Sequence, residues 1–205
     1  MNVLNYSYGN NLKKIVDILK EGKLVVYPTD TIYGIAADIN NFQAIKKVYL
    51  AKKRSFDKPI SICFHDISQL ENYVSLTDEI KEILDKTLPG PYTFLLEKKD
   101  NISPLLTADT SIVGVRIPGN IVSHELTTDF PITSTSANIS DYSTPNNIVE
   151  IQKQLGNNID VYINQGELKN NEPSTIIDLT NEKPIIVRKG IYDEKTLNNI
   201  LKINL

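Results

Sequence analysis

The order of helix-like and strand-like segments is the feature that most constrains the fold of this chain. Apolar residues between Leu12 and Leu19 recur with a helical period, and Gly22 gives that helix a C-terminal stop. Further helices are predicted over 42–52, 77–88 and 193–201. Strands are predicted over 23–27, 35–39, 59–64, 92–96, 112–117, 132–134, 161–163, 174–179 and 184–187. Because several strands follow one another without a helix between them, the pattern predicts an α/β fold with a twisted mixed sheet.

Composition and charge favour one domain that spans residues 1–205. The chain is 40% apolar and 23% charged, and its net charge of −3 argues against a general nucleic-acid coat. Its one cysteine, Cys63, cannot form an internal disulfide, which fits a reducing compartment. Residues 1–14 show no secretion signal, and no apolar run approaches the roughly 20 residues that span a bilayer. The sequence therefore predicts a cytoplasmic protein without a membrane segment.

Several common chemistries have no support in the sequence. Neither the phosphate-binding loop nor the Gly-x-Gly-x-x-Gly turn of dinucleotide-binding proteins occurs. His65 and His124 lack the spacing of a zinc site and are expected near the surface. Ser136 lacks the glycine-flanked turn of a nucleophilic serine, and Cys63, in an apolar strand, is expected to be a buried structural thiol.

Arginine is scarce, because the chain has nineteen lysines but only Arg54, Arg116 and Arg188. A guanidinium grips carboxylate or phosphate with two parallel hydrogen bonds, which a lysine ammonium cannot do. The three arginines therefore predict sites for particular anions. The alternative is that they lie in ordinary surface ion pairs, which contribute little.

Four polar clusters could build a binding site, over residues 27–34, 46–58, 133–145 and 173–188. The first combines threonines, tyrosines and a carboxylate at a strand end, and the second holds six basic residues on an acidic chain. The third is rich in hydroxyls that can hold phosphate or carboxylate, and the fourth leads to Arg188. Each also has a structural interpretation, as a turn, a solvated helix face, a helix cap and a hairpin respectively. Together they favour a nucleotide-using enzyme over a scaffold.

Seven stretches in register resemble the YrdC/TsaC family of L-threonylcarbamoyladenylate synthases. They are Pro28–Gly34 (Pro-Thr-Asp-Thr-x-Tyr-Gly), Ala51–Pro59 (Ala-Lys-x-Arg, then Lys-Pro), Leu88–Thr93, Val113–Pro118, Ser136–Ser140 (Ser-Ala-Asn-x-Ser), Ser174–Asp178 and Arg188–Gly190. No single stretch is decisive, but the set is specific and the resemblance runs from about residue 10 to 200. It implies a twisted open sheet with flanking helices and a large concave cavity.

The resemblance also implies a reaction. ATP, L-threonine and bicarbonate would give L-threonylcarbamoyladenylate and pyrophosphate, with magnesium on the phosphates. A partner transferase would then modify an adenosine beside the anticodon of tRNAs, and direct contact with tRNA is left open. Such chemistry needs positioning and charge stabilisation more than a protein nucleophile, so no catalytic side chain and no protein ligand to a metal are expected.

Site residues follow from the matching motifs. The resemblance implies that L-threonine is held by Thr31, Arg116, Ser134 and Ser174. It implies that ATP is held by Arg54, Lys58, Ser136, Asn138, Thr144 and Arg188, with Lys52 beside them. Arg116 is expected to pair with the substrate carboxylate or carbamate, and Lys52, Arg54, Lys58 and Arg188 are expected to neutralise phosphates.

The chain also departs from the family pattern. Cys63 stands where some relatives have a histidine that faces threonine, and Asp141 and Asn146 replace a common glycine and threonine. Ile112 falls where many relatives have a threonine near the nucleotide, with Ser111 as the alternative hydroxyl. Longer relatives carry a second C-terminal domain, so the chain resembles the short form.

Two other functions compete with this one. Proteins that transfer carbamoyl groups during hydrogenase maturation contain the same domain, but they also carry acylphosphatase-like and zinc-finger segments that are absent here. A non-catalytic RNA-binding or ribosome-maturation module would need basic faces with interleaved aromatic residues. In this chain the basic residues concentrate in one short segment.

Overall fold

A computed structural model describes residues 2–7, 12–169, 172–191 and 194–201. The strands are β1 (Asn2–Asn5), β2 (Val25–Tyr27), β3 (Gly34–Ala36), β4 (Ser61–Cys63), β5 (Tyr92–Glu97), β6 (Ile112–Arg116), β7 (Ile132–Ser136), β8 (Val161–Asn164), β9 (Thr175–Asp178) and β10 (Ile185–Arg188). The α-helices are α1 (Lys13–Lys20), α2 (Phe42–Ala51), α3 (Ile67–Leu70), α4 (Asp78–Thr87), α5 (Pro104–Thr107), α6 (Ile121–Leu126), α7 (Ile148–Leu155) and α8 (Glu194–Leu201), and a 3₁₀ turn spans Gly156–Asn158.

The described strands form one mixed sheet, as predicted, in the order β1-β8-β2-β3-β7-β4-β6-β5-β9-β10. Four of the strand pairs are parallel and five are antiparallel. Each predicted strand and helix has a counterpart within a few residues, except that Asp193 lies outside the described residues. The sequence patterns missed β1, α3, α5 and α6, which are short segments with weak periodicity, and α7, whose apolar residues do follow a helical spacing.

One face of the sheet is buried from β8 to β9. Ile62, Phe94 and Val115 share this face because the strand register pairs them across β4, β6 and β5. They pack in one apolar core with residues from α2, α4, α7 and α8, among them Ile45, Leu84, Ile151 and Leu197. This core supplies most of the hydrophobic stabilisation and leaves the other face free to differ from strand to strand.

The opposite face is covered at one end only. There Cys63 of β4 pairs with Ile132 of β7, and both pack beneath α1 and α6. Two residues further along, the same face carries Ser61 opposite Ser134, since side chains alternate with a period of two along a strand. None of the described residues that line the space above them belongs to a helix. The uncovered part of this face is therefore the floor of a concave cavity.

Two glycines bring segments of the chain close together at this floor. A Cβ added at Gly114 in β6 would lie 2.4 Å from the Ser61 hydroxyl, and one at Gly190 would lie 2.1 Å from the Pro173 carbonyl oxygen. Both separations are far below van der Waals contact. Glycine is thus required where β4 and β6 pair and where the chain after β10 passes the loop before Ser174.

Predictions about individual side chains are confirmed in several places. The helix predicted over 77–88 begins where expected, because the Thr77 hydroxyl caps α4 by accepting from the Ile80 amide at 3.3 Å. Cys63 is fully buried, and burial raises the pKa of its thiol to about 12, so it is a structural thiol. His65 and His124 are half-buried and exposed, and their rings stack with centroids 3.8 Å apart.

Candidate active site

The cavity on the uncovered sheet face has a volume of about 520 Å³, within the usual range for small-molecule sites. All three arginines of the chain line it, together with many hydroxyl groups. No lysine, aspartate or glutamate of the described residues lines it. A cavity with guanidinium groups and hydroxyls but no carboxylate in its lining favours an anionic ligand.

Arg116 lies at the end of β6 with its side chain only 8% exposed. Its Nη2 donates to Asp30 Oδ1 and to the Thr31 hydroxyl, both at 3.0 Å. The other oxygen of Asp30 accepts from the Gly119 amide at 3.0 Å. The Nε of Arg116 is buried and has no hydrogen-bond partner among the described residues. One edge of this guanidinium is therefore fixed, and the buried Nε is left without a described partner.

The loop before β3 is held by threonine hydroxyls. Thr29 Oγ1 donates to the Ile32 carbonyl at 2.6 Å and accepts from the Thr31 amide at 3.1 Å. The two hydroxyls of Thr29 and Thr31 are 3.1 Å apart, so the Thr31 proton is directed to Thr29 while its oxygen accepts from Arg116. Both threonines are buried. The two threonines thus satisfy backbone groups of their own turn and also orient Arg116. The segment is therefore both a turn and part of the candidate site.

Arg188 lines the cavity from the end of β10, where Nη2 donates to the Ser174 carbonyl at 2.8 Å and lies 3.3 Å from its hydroxyl. The Ser174 hydroxyl is 2.8 Å from that of Thr93 in β5. Partial burial, with a smaller effect from the positive charge of Arg116, lowers the pKa of Arg188. Two guanidinium groups therefore influence each other across the cavity. An anion between them would relieve this repulsion.

Arg54 and Lys58 lie on the segment after α2. Arg54 Nε and Nη2 donate to the carbonyl oxygens of Lys58 and Pro59 at 3.2 and 2.9 Å, and partial burial lowers the pKa of this arginine. Lys58 is exposed and pairs with Asp141 at 3.2 Å. Arg54 thus faces the cavity from a fixed turn, and Lys58 lies outside its lining in a weak surface ion pair.

Lys52 was predicted to neutralise phosphates, but the structure places its side chain away from the cavity lining. Its side chain is buried, at 1% exposure, and it does not line the cavity. The ammonium donates to the Ser136 carbonyl, to the Asn138 carbonyl at 2.9 Å and to Asn138 Oδ1 at 3.1 Å. Burial, with a smaller effect from the charge of Arg54, lowers the pKa of Lys52 to about 7. The sequence pattern could not separate Lys52 from Arg54, because both are cations of one loop.

The structure brings most of the predicted residues together. Those that line the cavity are Arg54, Arg116, Ser134, Ser136, Thr144, Ser174 and Arg188. Those that lie behind or beside the lining are Thr31, Lys52, Lys58 and Asn138. Near Ile112, which lines the cavity, the hydroxyl in the lining belongs to Thr110 and not to Ser111. The residue roles toward threonine and ATP remain predictions.

Sequence reasoning missed several residues that shape the cavity. Asp30 and Thr93 lie within the motif stretches, and their partners Arg116 and Ser174 are 86 and 81 positions away along the chain. Ser61 and Gly114 form the floor; Gly114 belongs to the Val113–Pro118 stretch, and for Ser61 small size is the only sequence signal. Among the described residues no group of three or more His, Cys, Asp or Glu could hold a metal ion, and no helix is long and apolar enough to cross a membrane.

Known proteins resemble this chain over most of its length. The Sua5/YciO/YrdC family model, described as "Telomere recombination", matches residues 17–190. A Methanocaldococcus jannaschii protein is 42% identical over 183 residues, 87% of each chain, and Threonylcarbamoyl-AMP synthase of Vibrio vulnificus is 34% identical over 187 residues, 88% of this chain and 99% of the relative.

Solved structures give the same result. Pyrococcus abyssi Sua5, crystallised with L-threonine, superposes with a TM-score of 0.93 at 28% identity over 98% of this chain. This chain covers 61% of that protein. The motifs, the mixed sheet with its open cavity and these matches lead to one conclusion: the chain belongs to the Sua5/YciO/YrdC family.

Proposed function

We propose that this protein is an L-threonylcarbamoyladenylate synthase. It joins ATP, L-threonine and bicarbonate and releases pyrophosphate, which makes it a nucleotidyltransferase. The observation that carries the proposal is the convergence of all three arginines on one cavity whose described lining residues include no aspartate or glutamate. Relatives named threonylcarbamoyl-AMP synthase and the L-threonine complex of Sua5 support the same reaction.

Threonine would bind at the Arg116 end. A carboxylate or carbamate approaching Arg116 meets a guanidinium whose position is already fixed by Asp30 and Thr31, so little ordering is required on binding. Ser134 and Ser174 line the same cavity and offer hydroxyls to the polar groups of the amino acid.

ATP would bind toward Arg54 and Arg188. These guanidinium groups lie on different segments of the cavity wall and could share the charge of a polyphosphate. Lys58 is exposed at the rim and could leave Asp141 for a phosphate at little cost, because exposed ion pairs are weak. Magnesium would come with ATP, since this ion is commonly held by phosphates and water with few protein ligands. Because no described residue of the lining is a carboxylate, the phosphates and water would supply the ligands of the ion.

The reaction requires no protein nucleophile. The threonine amine combines with bicarbonate, losing water, to form a carbamate. A carbamate oxygen then attacks the α-phosphorus in line, a new P–O bond forms, and the bond to the β-phosphate oxygen breaks to release pyrophosphate. The three arginines can place the two anions against each other and neutralise charge that develops on the phosphate oxygens.

An assay of pyrophosphate release tests the proposal. The protein with ATP and magnesium should release pyrophosphate only when L-threonine and bicarbonate are both present, and mass spectrometry should detect L-threonylcarbamoyladenylate. Release that does not depend on threonine would indicate another acceptor. No release from folded protein would contradict the proposed function.

The alternatives have less support. An RNA-binding module needs its arginines on an exposed face, whereas here they line one cavity. Hydrogenase-maturation chemistry would be indicated if carbamoyl phosphate, rather than threonine with bicarbonate, stimulated pyrophosphate release. Delivery of the product to a threonylcarbamoyl transferase that acts on tRNA, and a cytoplasmic location, are parts of the same proposal.

A further inference from the structure

Lys52 is a buried cation for which no described carboxylate is a partner. It follows the last residue of α2, and it occurs in none of the salt bridges found among the described residues. Its three short ammonium contacts are all to oxygens of Ser136 and Asn138, and the Ser136 hydroxyl lies 3.4 Å away. Three acceptors match the three protons of an ammonium group.

The main chain of Lys52 holds the same segment at its other end. The Lys52 carbonyl accepts from the Ser140 amide at 2.8 Å. Between these contacts, Asn138 organises the segment, because its Nδ2 donates to the carbonyls of Ile139 and Tyr142 at 3.0 and 2.7 Å and its Oδ1 accepts from the Ser136 hydroxyl at 2.5 Å. One residue of the α2 terminus thus anchors residues 136–140 from both ends.

A left-handed turn separates this anchor from the cavity. Lys53 has a φ of +49°, and the Arg54 amide donates back to the Tyr49 carbonyl at 2.9 Å. Residues other than glycine adopt this conformation rarely. Because the chain turns here, Lys52 points beneath residues 136–140 while Arg54 lines the cavity.

We propose that Lys52 is a positioning residue that holds residues 136–140 at the nucleotide end of the cavity and does not itself contact the ligand. Ser136 lines the cavity and Lys52 does not, so the effect of the ammonium reaches the ligand through the segment that it supports. The identity of that ligand, ATP, rests on the proposed function. The role of Lys52 in holding residues 136–140 rests only on the hydrogen bonds described above.

The experiment compares Lys52→Met with Lys47→Met. Lys47 is a matched control because it lies on the same helix, is exposed, and donates to a single carbonyl, that of Gly22, at 2.7 Å. In K52M, hydrogen exchange of the Ser140 and Tyr142 amides should be at least about tenfold faster, because their segment loses its anchor. In K47M their exchange should stay within about twofold of wild type.

Kinetics give the second readout. K52M should raise KM for ATP by about tenfold and leave KM for L-threonine within about twofold, since only the nucleotide end loses support. If Lys52 acts through Asn138, the double variant K52M/N138A should be barely worse than N138A alone. Equal increases in both KM values, or independent effects of the two substitutions, would overturn the proposal.

Two further outcomes can be distinguished: a K52M variant that does not fold, and a wild-type protein that lacks the proposed activity. If K52M does not fold, Lys52→Gln keeps two N–H donors and should give smaller changes in the same direction. Unchanged exchange of the Ser140 amide in a folded variant overturns the positioning role. If the wild-type protein releases no pyrophosphate but K52M still accelerates exchange, the proposed function fails and the role of Lys52 remains.

Discussion

Two buried cations support the two ends of the cavity, and their charges are balanced in different ways. Arg116 pairs with the Asp30 carboxylate at 3.0 Å. Lys52 is held by carbonyl and amide oxygens of Ser136 and Asn138. A paired charge keeps its protonation state over a wide pH range, whereas a desolvated ammonium without a carboxylate loses its proton more easily. The pKa of Lys52 is accordingly about 7.

The difference suits the ligands that we propose. At the Arg116 end the cation belongs to the cavity lining, so it can meet a small carboxylate directly. At the other end the buried cation orders a segment of main chain, while the more exposed Arg54 and Arg188 meet the larger anion. Four predictions test this contrast, in order of decreasing effect.

Removing the carboxylate that pairs with Arg116 should have the largest of the four effects. Asp30→Asn leaves the Arg116 charge buried without its partner, and the free energy of unfolding should fall by about 3 kcal/mol. Urea unfolding at pH 7 measures it. Asp141→Asn is the control, because its ion pair with Lys58 is exposed and its loss should change stability by less than about 0.5 kcal/mol. If the two substitutions lowered the free energy of unfolding equally, the buried Asp30–Arg116 pair would contribute no more to stability than an exposed ion pair.

Replacing the guanidinium should impair threonine use selectively. Arg116→Lys keeps the charge but loses the fork that Asp30 and Thr31 orient, so KM for L-threonine should rise about 100-fold, or roughly 2.7 kcal/mol. KM for ATP should change by less than about threefold. Steady-state pyrophosphate release measures both constants. A near-normal requirement for threonine would contradict the assignment of Arg116.

An arginine-to-lysine exchange at the proposed nucleotide end should have a smaller effect, and it should act on KM for ATP instead of KM for L-threonine. Arg54→Lys should raise KM for ATP about tenfold, because a lysine cannot hold the Lys58 and Pro59 carbonyls and a phosphate together. KM for L-threonine should be unchanged. A larger effect on threonine than on ATP would mean that the two ends have been assigned the wrong way round.

The unpaired Lys52 should make stability depend on pH. Its pKa is about 7 when folded and 10.5 ordinarily, so between these values the unfolded chain binds more protons and stability rises with pH. The difference in unfolding free energy between wild type and K52M should therefore increase by about 1 kcal/mol from pH 7 to pH 8. K47M, measured by the same urea unfolding, should show no such increase. The deprotonated Lys52 amine keeps two N–H donors. Above pH 7 residues 136–140 should therefore be held more loosely but should not be released.

The mixed sheet could be read from the sequence because it depends on local signals. Helical periodicity over 12–19, turn residues and consecutive β-rich runs each indicate their own element. Helix α6 was missed because its six residues give little periodicity, and α7 was missed although its apolar residues follow a helical spacing. Their stability comes from packing, for example of Leu126 and Ile151 in the two cores.

The candidate site was predicted less completely. Arg54, Arg116 and Arg188 were recognised by their rarity and their motifs, and all three line the cavity. Lys52 was predicted beside them, but it lies beneath the loop, since a left-handed residue at Lys53 turns the chain between two cations that look equivalent in sequence. Asp30 was predicted as a carboxylate of a turn or of a binding loop, and its pairing with Arg116 was missed because that partner is distant along the chain.

The sequence by itself determined which chemical groups the protein has for binding anions, and where along the chain they occur. Residue type decides whether a side chain offers a guanidinium fork, an ammonium or a hydroxyl, and that does not require a fold. Only the tertiary structure decided which cation faces the cavity and which supports it from behind. Burial, strand register and long-range partners set those roles, as they do for Arg116 on Asp30 and for Lys52 beneath Asn138.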